Sequence, residues 1–176
     1  MRSMGQQQSA ESVVPADSFA QSGGEGTNRV IQPLNPHYVA GFIDGEGSFV
    51  FFLSPRKDIR SGFEVNLDFQ IELRIDDREI LERIQATLGG IGHLNVLNYE
   101  RYERWQPHVK YRVGRIDQLQ NRLVPFFRKY PLQAKKRRNF EIFAQAVEIK
   151  WQKRHRSPKG MEELIRLREQ IAELRG

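Results

Sequence analysis

The sequence predicts an α+β domain built in the order αββαββα, with further helices at the C-terminus. Its four strands form an antiparallel sheet, with helices on one face and a polar face left uncovered. Three observations carry this prediction. The segment "FEVNLDFQIELRI" alternates strictly, with Phe63, Val65, Leu67, Phe69, Ile71, Leu73 and Ile75 on one face and Glu64, Asn66, Asp68, Gln70, Glu72 and Arg74 on the other. Helix start and stop signals (Asn35-Pro36, Asp76-Asp77, Gly89-Gly90, Pro131, Ser157-Pro158) divide the strand segments into pairs. The 39% hydrophobic content, with 11 Phe, is enough to build a core on one side of such a sheet.

Taken in order, Asn35 is an N-cap and Pro36 occupies the first helical position. That helix runs through "HYVAGFIDGE" to Gly47, where "GSFVFFLSP" begins as a strand ending at Ser54-Pro55. "RKDIRSG" is a loop and leads into the alternating strand. "DDREILERIQATLGG" is a capped helix closed by two glycines. "IGHLNVLNY" and "HVKYRVGRI" are two more strands, joined by a loop around "ERYERWQP". "DQLQNRLVPFFRKY" is a third helix ending before Pro131, and "KKRRNFEIFAQAVEIKWQ" a fourth. Ser157 caps a last helix with apolar positions at 164, 167, 171 and 174. The aromatics of "VPFF" and "NFEIFAQAV" belong to the core.

Residues 1–35, rich in Gln, Ser and Gly, read as a disordered tail, and 36–176 as a single domain. The tail carries acids and almost no arginine, unlike a mitochondrial presequence. No apolar run is long enough to span a membrane. With no cysteine there is neither a disulfide framework nor a thiolate metal site. The four histidines are scattered without zinc-like spacing. Charge is uneven: residues 101–156 hold 16 basic and 4 acidic residues, whereas 37–100 hold 6 and 11. A basic excess of that size suits a polyanion such as nucleic acid, although a solvated basic face would look the same.

The stretch "YVAGFIDGEGSFVFF" places Asp44 and Glu46 among Gly41, Gly45 and Gly47 inside an apolar segment. Glycine costs roughly 1 kcal/mol against alanine within a helix, so its presence needs a reason. Gly41 and Gly45 share a helix face, and small residues at that spacing let two helix backbones approach closely. If the neighbour is the same helix of a second chain, the contact is two-fold, and each copy delivers Glu46 beside its twin. Two carboxylates so placed repel unless a cation lies between or beside them. Mg²⁺, held by oxygen ligands and substrate phosphates, meets that need. The alternative is a plain helix end with a chance acid.

"VAGFIDGEG", Val39 to Gly47, resembles the motif of the LAGLIDADG homing endonucleases. The likeness continues through "GSF", "FQI", "DREILERIQ", "IGHL", "VPFFRKYPL", "KKRRNF" and "GMEELIRLR", over about 140 residues. The resemblance implies a DNA-binding saddle with the motif helices at its centre and the sheet in the major groove. It implies a single-motif, homodimeric enzyme that hydrolyses phosphodiester bonds of a long pseudo-palindromic double-stranded DNA site with a divalent metal. By the same resemblance, Glu46 is the metal-binding acid, with Gly45 beside it in the metal site. Ala40, Gly41, Asp44 and Gly45 then serve the dimer interface, and Lys135, favoured over Lys136, is the active-site basic residue that stabilises negative charge near the scissile phosphate. The family's water-ordering glutamine has its counterpart at Leu73, which departs from the pattern.

Strand parity supplies the candidate DNA contacts. Val50, Phe52, Ser54 and Arg56 lie outward in the first strand; Asn66, Asp68, Gln70, Glu72 and Arg74 in the second; His93, Asn95, Lys110 and Arg112 in the last two. Asn and Gln suit adenine, Arg suits guanine, and acids accept from cytosine. Arg56, Lys136, Arg137, Arg138 and Lys150 are among the candidates for phosphate contact. Two other readings use the same scaffold, an RNA-binding intron-splicing maturase and a non-cleaving DNA-binding protein. Glu46 favours cleavage, because binding alone does not require it. An intron-borne or free-standing gene fits better than an intein, with an organelle or a prokaryotic cytoplasm as the setting.

Overall fold

The computed structural model describes residues 30–98 and 106–174, and the backbone of Val13 and Val14. The first helix, α1 (Pro36–Glu46), begins as its sequence predicts: Asn35 Oδ1 accepts from the His37 amide at 2.9 Å, with Pro36 inside the first turn. Strand β2 (Ser48–Pro55) follows directly and pairs antiparallel with β3 (Phe63–Arg74), from Ser48 opposite Gln70 to Pro55 opposite Phe63. After helix α2 (Arg78–Thr87) come β4 (His93–Leu97) and β5 (His108–Val113). The β5 strand pairs with both β4 and the second half of β3. A two-residue strand, β1 (Val13–Val14), pairs with Val96 and Leu97, so the spatial order is β1-β4-β5-β3-β2. The four-stranded antiparallel sheet is thus as predicted, extended at one edge by two residues from the stretch read as a tail. The rest of that stretch up to residue 29, and the loop at 99–105, lie outside the described residues.

The domain extends a few residues ahead of Pro36. The Leu34 amide donates to Thr87 Oγ1 at 2.8 Å, and Arg83 Nε donates to the Gln32 carbonyl at 3.0 Å, so this segment lies along α2.

Helices α5 (Lys136–Trp151) and α6 (Pro158–Glu173) cover the apolar face of the sheet. Phe49 is the hub of the core: its ring lies 5.3–5.6 Å from those of Phe69, Phe127, Phe140 and Phe143. These separations and tilts suit aromatic packing, which adds about 0.5–1.5 kcal/mol per pair beyond area burial. Tyr111 is fully buried and donates to the Ile91 carbonyl at 2.8 Å, and burial pushes its pKa up.

Three details differ from the sequence reading. The third helix is not uniform: α3 (Ile116–Gln118) passes through a π turn (Leu119–Leu123) into α4 (Val124–Lys129). Pro125 lacks the N–H for an ordinary helical bond, and the Val124 amide reaches back to the Leu119 carbonyl instead. At α2, Asp77 makes no side-chain cap; a 3-10 turn (Ile75–Asp77) leads into the helix. On α6, Leu164, Leu167 and Ile171 are buried as expected, but Leu174 is exposed at the helix end, whereas Met161 is buried.

Just past the end of α5, Lys153 has a φ of 59°, in the left-handed region. That conformation costs an L-residue roughly 1–2 kcal/mol and glycine almost nothing. Lys153→Gly should therefore raise stability by about 0.5–1 kcal/mol, measurable as a higher midpoint in urea; an unchanged or lower midpoint would show that the lysine side chain offsets its strain.

Candidate functional site

The motif helix meets the sheet at Gly47. A Cβ on this residue would stand 2.5 Å from Ile43 Cγ2 and 3.1 Å from the Ile43 carbonyl oxygen. Its amide also donates to that carbonyl at 3.0 Å. Only glycine lets the helix stop and the strand start within one residue. Glu46, the last residue of α1, is exposed there. Ser48 follows on the polar side of the sheet, opposite Gln70.

Two contacts clamp the end of α1 to the segment before α5. Lys136 Nζ donates to the carbonyls of Ile43 and Gly45, each at 3.0 Å, so a cation closes the negative end of the helix dipole. Burial pushes the Lys136 pKa down, while the Asp44 and Glu46 carboxylates raise it. Asp44 Oδ2 accepts from the Gln133 amide at 2.7 Å; its Oδ1 is buried without a hydrogen-bond partner among the described residues. The ammonium placed at the end of the motif helix thus belongs to Lys136, and Lys135 stands exposed at the N-cap of α5. The sequence could have signalled this only through helix phase, which adjacent lysines leave open.

The residues expected at a dimer interface divide between two faces. Gly41 and Gly45 are exposed, and a Cβ at either would meet nothing within 4 Å. With Tyr38, 51% exposed, and the half-buried Phe42 they form an open stripe along α1. Ala40, in contrast, is only 4% exposed and packs into its own core. It lies on the inward side of the helix, which corrects its reading as an interface residue.

The polar face of the sheet carries the predicted residues in register. Gln70 stands between Ser48 and Arg112, with His93 beyond; Glu72, Lys110 and Asn95 form the next row. Most of its charges are paired. Arg112 Nε and Nη2 donate to the two carboxylate oxygens of Asp68, both at 2.7 Å, and this pair holds the Arg112 pKa up. Asp68 is buried, at 8% exposure, which corrects its reading as a base contact: its acceptors are spent within the protein. Glu72 lies 2.9 Å from Lys110 Nζ and 3.1 Å from His108 Nδ1. Arg56 bonds Asp58 and Glu64, and the Asp58 carboxyl is held at about 2 by that guanidinium. Arg74 pairs with Asp76 at 3.0 Å, and Asn66 donates to Ser54 Oγ at 3.1 Å.

Other candidates are placed away from this face or in structural roles. Arg137 and Arg138 are exposed in the first turn of α5, and Arg138 lines a groove with Glu141 and Gln170 of α6. Lys150 is half-buried and donates to the Val65 carbonyl at 2.7 Å, where β3 runs on past the end of β5. It completes the sheet edge, which corrects its reading as a phosphate contact. Leu73 points to the core side with the other odd-numbered residues of β3. Gly114 was overlooked by motif reasoning: it follows β5, and a Cβ there would come within 2.5 Å of Asp68 Oδ1.

A surface hollow between the starts of α1 and α2 is lined by Leu34, Asn35, Tyr38, Asp76, Asp77 and Ile80, away from Glu46. The described residues hold no cluster of three or more His, Asp or Glu suited to a metal. One chain offers the exposed Glu46 carboxylate and the Gly45 carbonyl beside it. Both are hard oxygen donors that fit Mg²⁺, provided further oxygens come from outside the chain.

A family model described as LAGLIDADG endonuclease matches residues 39–147. The chain is 33% identical over 139 residues to "Probable intron-encoded endonuclease 2" of Neurospora crassa, covering 79% of this chain and 29% of that protein. Among solved structures, that of the I-SmaMI LAGLIDADG homing endonuclease bound to cleaved DNA superimposes with a TM-score of 0.68 at 29% identity, covering 77% of this chain and 43% of that one. The meganuclease I-CpaMI bound to uncleaved DNA gives a TM-score of 0.66 at 27% identity, over 76% of this chain and 42% of that one. The chain therefore spans less than half the length of these relatives. Among the described residues no helix is long and apolar enough to cross a membrane.

Gly47→Ala should cost about 1–3 kcal/mol through overpacking against the branched Ile43 side chain, read as a lowered urea midpoint. Gly45→Ala, with open space at its Cβ, should cost far less in a single chain. Equal losses for the two would refute the steric account of the joint.

Proposed function

The chain belongs to the LAGLIDADG endonuclease family, and on that premise we propose that it is a site-specific double-strand DNA endonuclease acting as a homodimer with divalent metal. The observation that carries this reading is Glu46: an exposed carboxylate at the end of the motif helix, delivered beside the polar sheet face by the Gly47 joint. A protein that only bound nucleic acid would gain nothing from an acid there.

The open stripe of Tyr38, Gly41, Phe42 and Gly45 supports pairing with the same helix of a second copy. Bare glycines allow close backbone approach, and the contact is self-complementary about a two-fold axis. Two copies bring two Glu46 carboxylates together, one for each DNA strand, and the target is correspondingly pseudo-palindromic.

Glu46 and the Gly45 carbonyl are the ligands this chain offers to Mg²⁺. When bound, the ion supplies a Lewis acid that activates water and stabilises charge on the attacking and leaving oxygens. Lys136 holds the last carbonyls of α1 in place, the Gly45 carbonyl among them. Lys135, exposed one residue earlier, is the ammonium we assign to the charge developing on the scissile phosphate. Gln70, Asn95 and the outward cations of β3 and β5 lie on the face that enters the major groove. The intron-encoded name of the fungal relative supports an intron-borne gene.

A randomised inverted-repeat DNA library in Mg²⁺ tests the proposal. Wild type should cut a discrete two-fold site, and chelation with EDTA should abolish cutting. Glu46→Gln should bind the same site but cut it at least about a hundred-fold more slowly. If neither protein cuts while both retard DNA or a structured intron RNA in gels, the chain is a binding or splicing-assisting protein instead.

A further inference from the structure

On the polar face of the sheet, one cation differs from the rest in how it is held. Arg112 is clamped by a carboxylate that is itself buried: Asp68 is 8% exposed, and both its oxygens are used, each at 2.7 Å, by Nε and Nη2 of Arg112. Asp68 can sit so deep because Gly114 has no side chain; a Cβ there would come 2.5 Å from Asp68 Oδ1. Arg56 and Arg74 pair with exposed acids, and Lys110 is a point charge without a fork. Arg112 remains half-exposed, standing across the strands between Gln70 and His93.

A guanidinium has five N–H donors in one plane. Bonding through Nε and one proton of Nη2 leaves the outer edge, Nη1 and the second Nη2 proton, as two parallel donors. That edge matches the O6 and N7 acceptors of guanine in the major groove. An arginine on a free stem loses several rotamers when it settles on a base; one already clamped loses few. Resting on the DNA reading above, we infer that Arg112 is a guanine-specifying residue and that Asp68, admitted by Gly114, is its positioning residue, so each half-site contains one guanine read by this pair.

Selection from the same randomised inverted-repeat DNA, in Ca²⁺ so that binding is scored without turnover, tests this. Wild type should enrich guanine at one symmetric position per half-site. Arg112→Gln removes the guanidinium fork while keeping a donor for Asp68, and should erase that guanine preference alone, lowering affinity for the guanine-bearing site about ten-fold or more. Asp68→Asn should weaken the same preference and no other. Gly114→Ala should do likewise by displacing the carboxylate without removing charge. Retention of the guanine preference by Arg112→Gln overturns the assignment. Loss of the preference in Arg112→Gln but its survival in a folded Asp68→Asn protein overturns the positioning role. If wild type enriches no sequence at all, the DNA-recognition reading itself falls, an outcome distinct from either.

Discussion

The architecture depends on a steric constraint at one residue. At Gly47 the motif helix turns into the sheet with no room for a Cβ against Ile43, and this abruptness sets the phase of everything after it. Glu46 ends on the surface, Ser48 faces the polar side, and Phe49 faces inward to become the hub of five packed phenylalanine rings. A looser joint would uncouple the acid from the sheet, since register in a strand changes face with each residue. The clamp from Lys136 and the Gln133 amide then ties the same helix end to the start of α5. Core packing and site geometry are therefore held by one set of contacts.

The polar sheet face shows how a basic chain can bind a polyanion with discrimination. Acids lie among its cations and satisfy them locally: Asp68 with Arg112, Glu72 with Lys110 and His108, Asp76 with Arg74. Pairs between exposed groups, such as Asp76 with Arg74, contribute little to stability. They do lower the non-specific electrostatic attraction that an unrelieved cationic surface would have. Within the basic stretch 101–156, Lys136 and Lys150 are committed to backbone carbonyls. What remains outward in β3, β4 and β5 is a set of separate donors and acceptors rather than a continuous cationic stripe.

The chain shares its family and fold with two solved LAGLIDADG proteins that are bound to DNA. The elements that carry the proposed chemistry are few: the end of α1, its joint to β2, and the first residues of α5, which the fold brings to α1 from 91 residues away. The exposed glycine stripe of α1 packs against nothing in a single subunit and becomes economical if a second copy covers it.

Much of this was legible in the sequence. The period-two alternation of Phe63–Ile75, the Asn35-Pro36 and Ser157-Pro158 helix starts, and the glycine-spaced motif each carry a local physical signal, and the structure shows the strand and both helix starts. Strand parity also foretold which side chains of β2, β3 and β5 face outward. What parity could not decide is what an outward side chain then touches. That Asp68 is buried, that Lys150 completes a sheet edge and that Ala40 turns inward depend on neighbours 44, 85 and many residues away, brought close only by packing. The choice between Lys135 and Lys136 rested on helix phase, and the role of Gly114 on a carboxylate from another strand. Local periodicity determined the elements and their faces; the tertiary structure alone decided which charges are spent within the protein and which are left to meet a ligand.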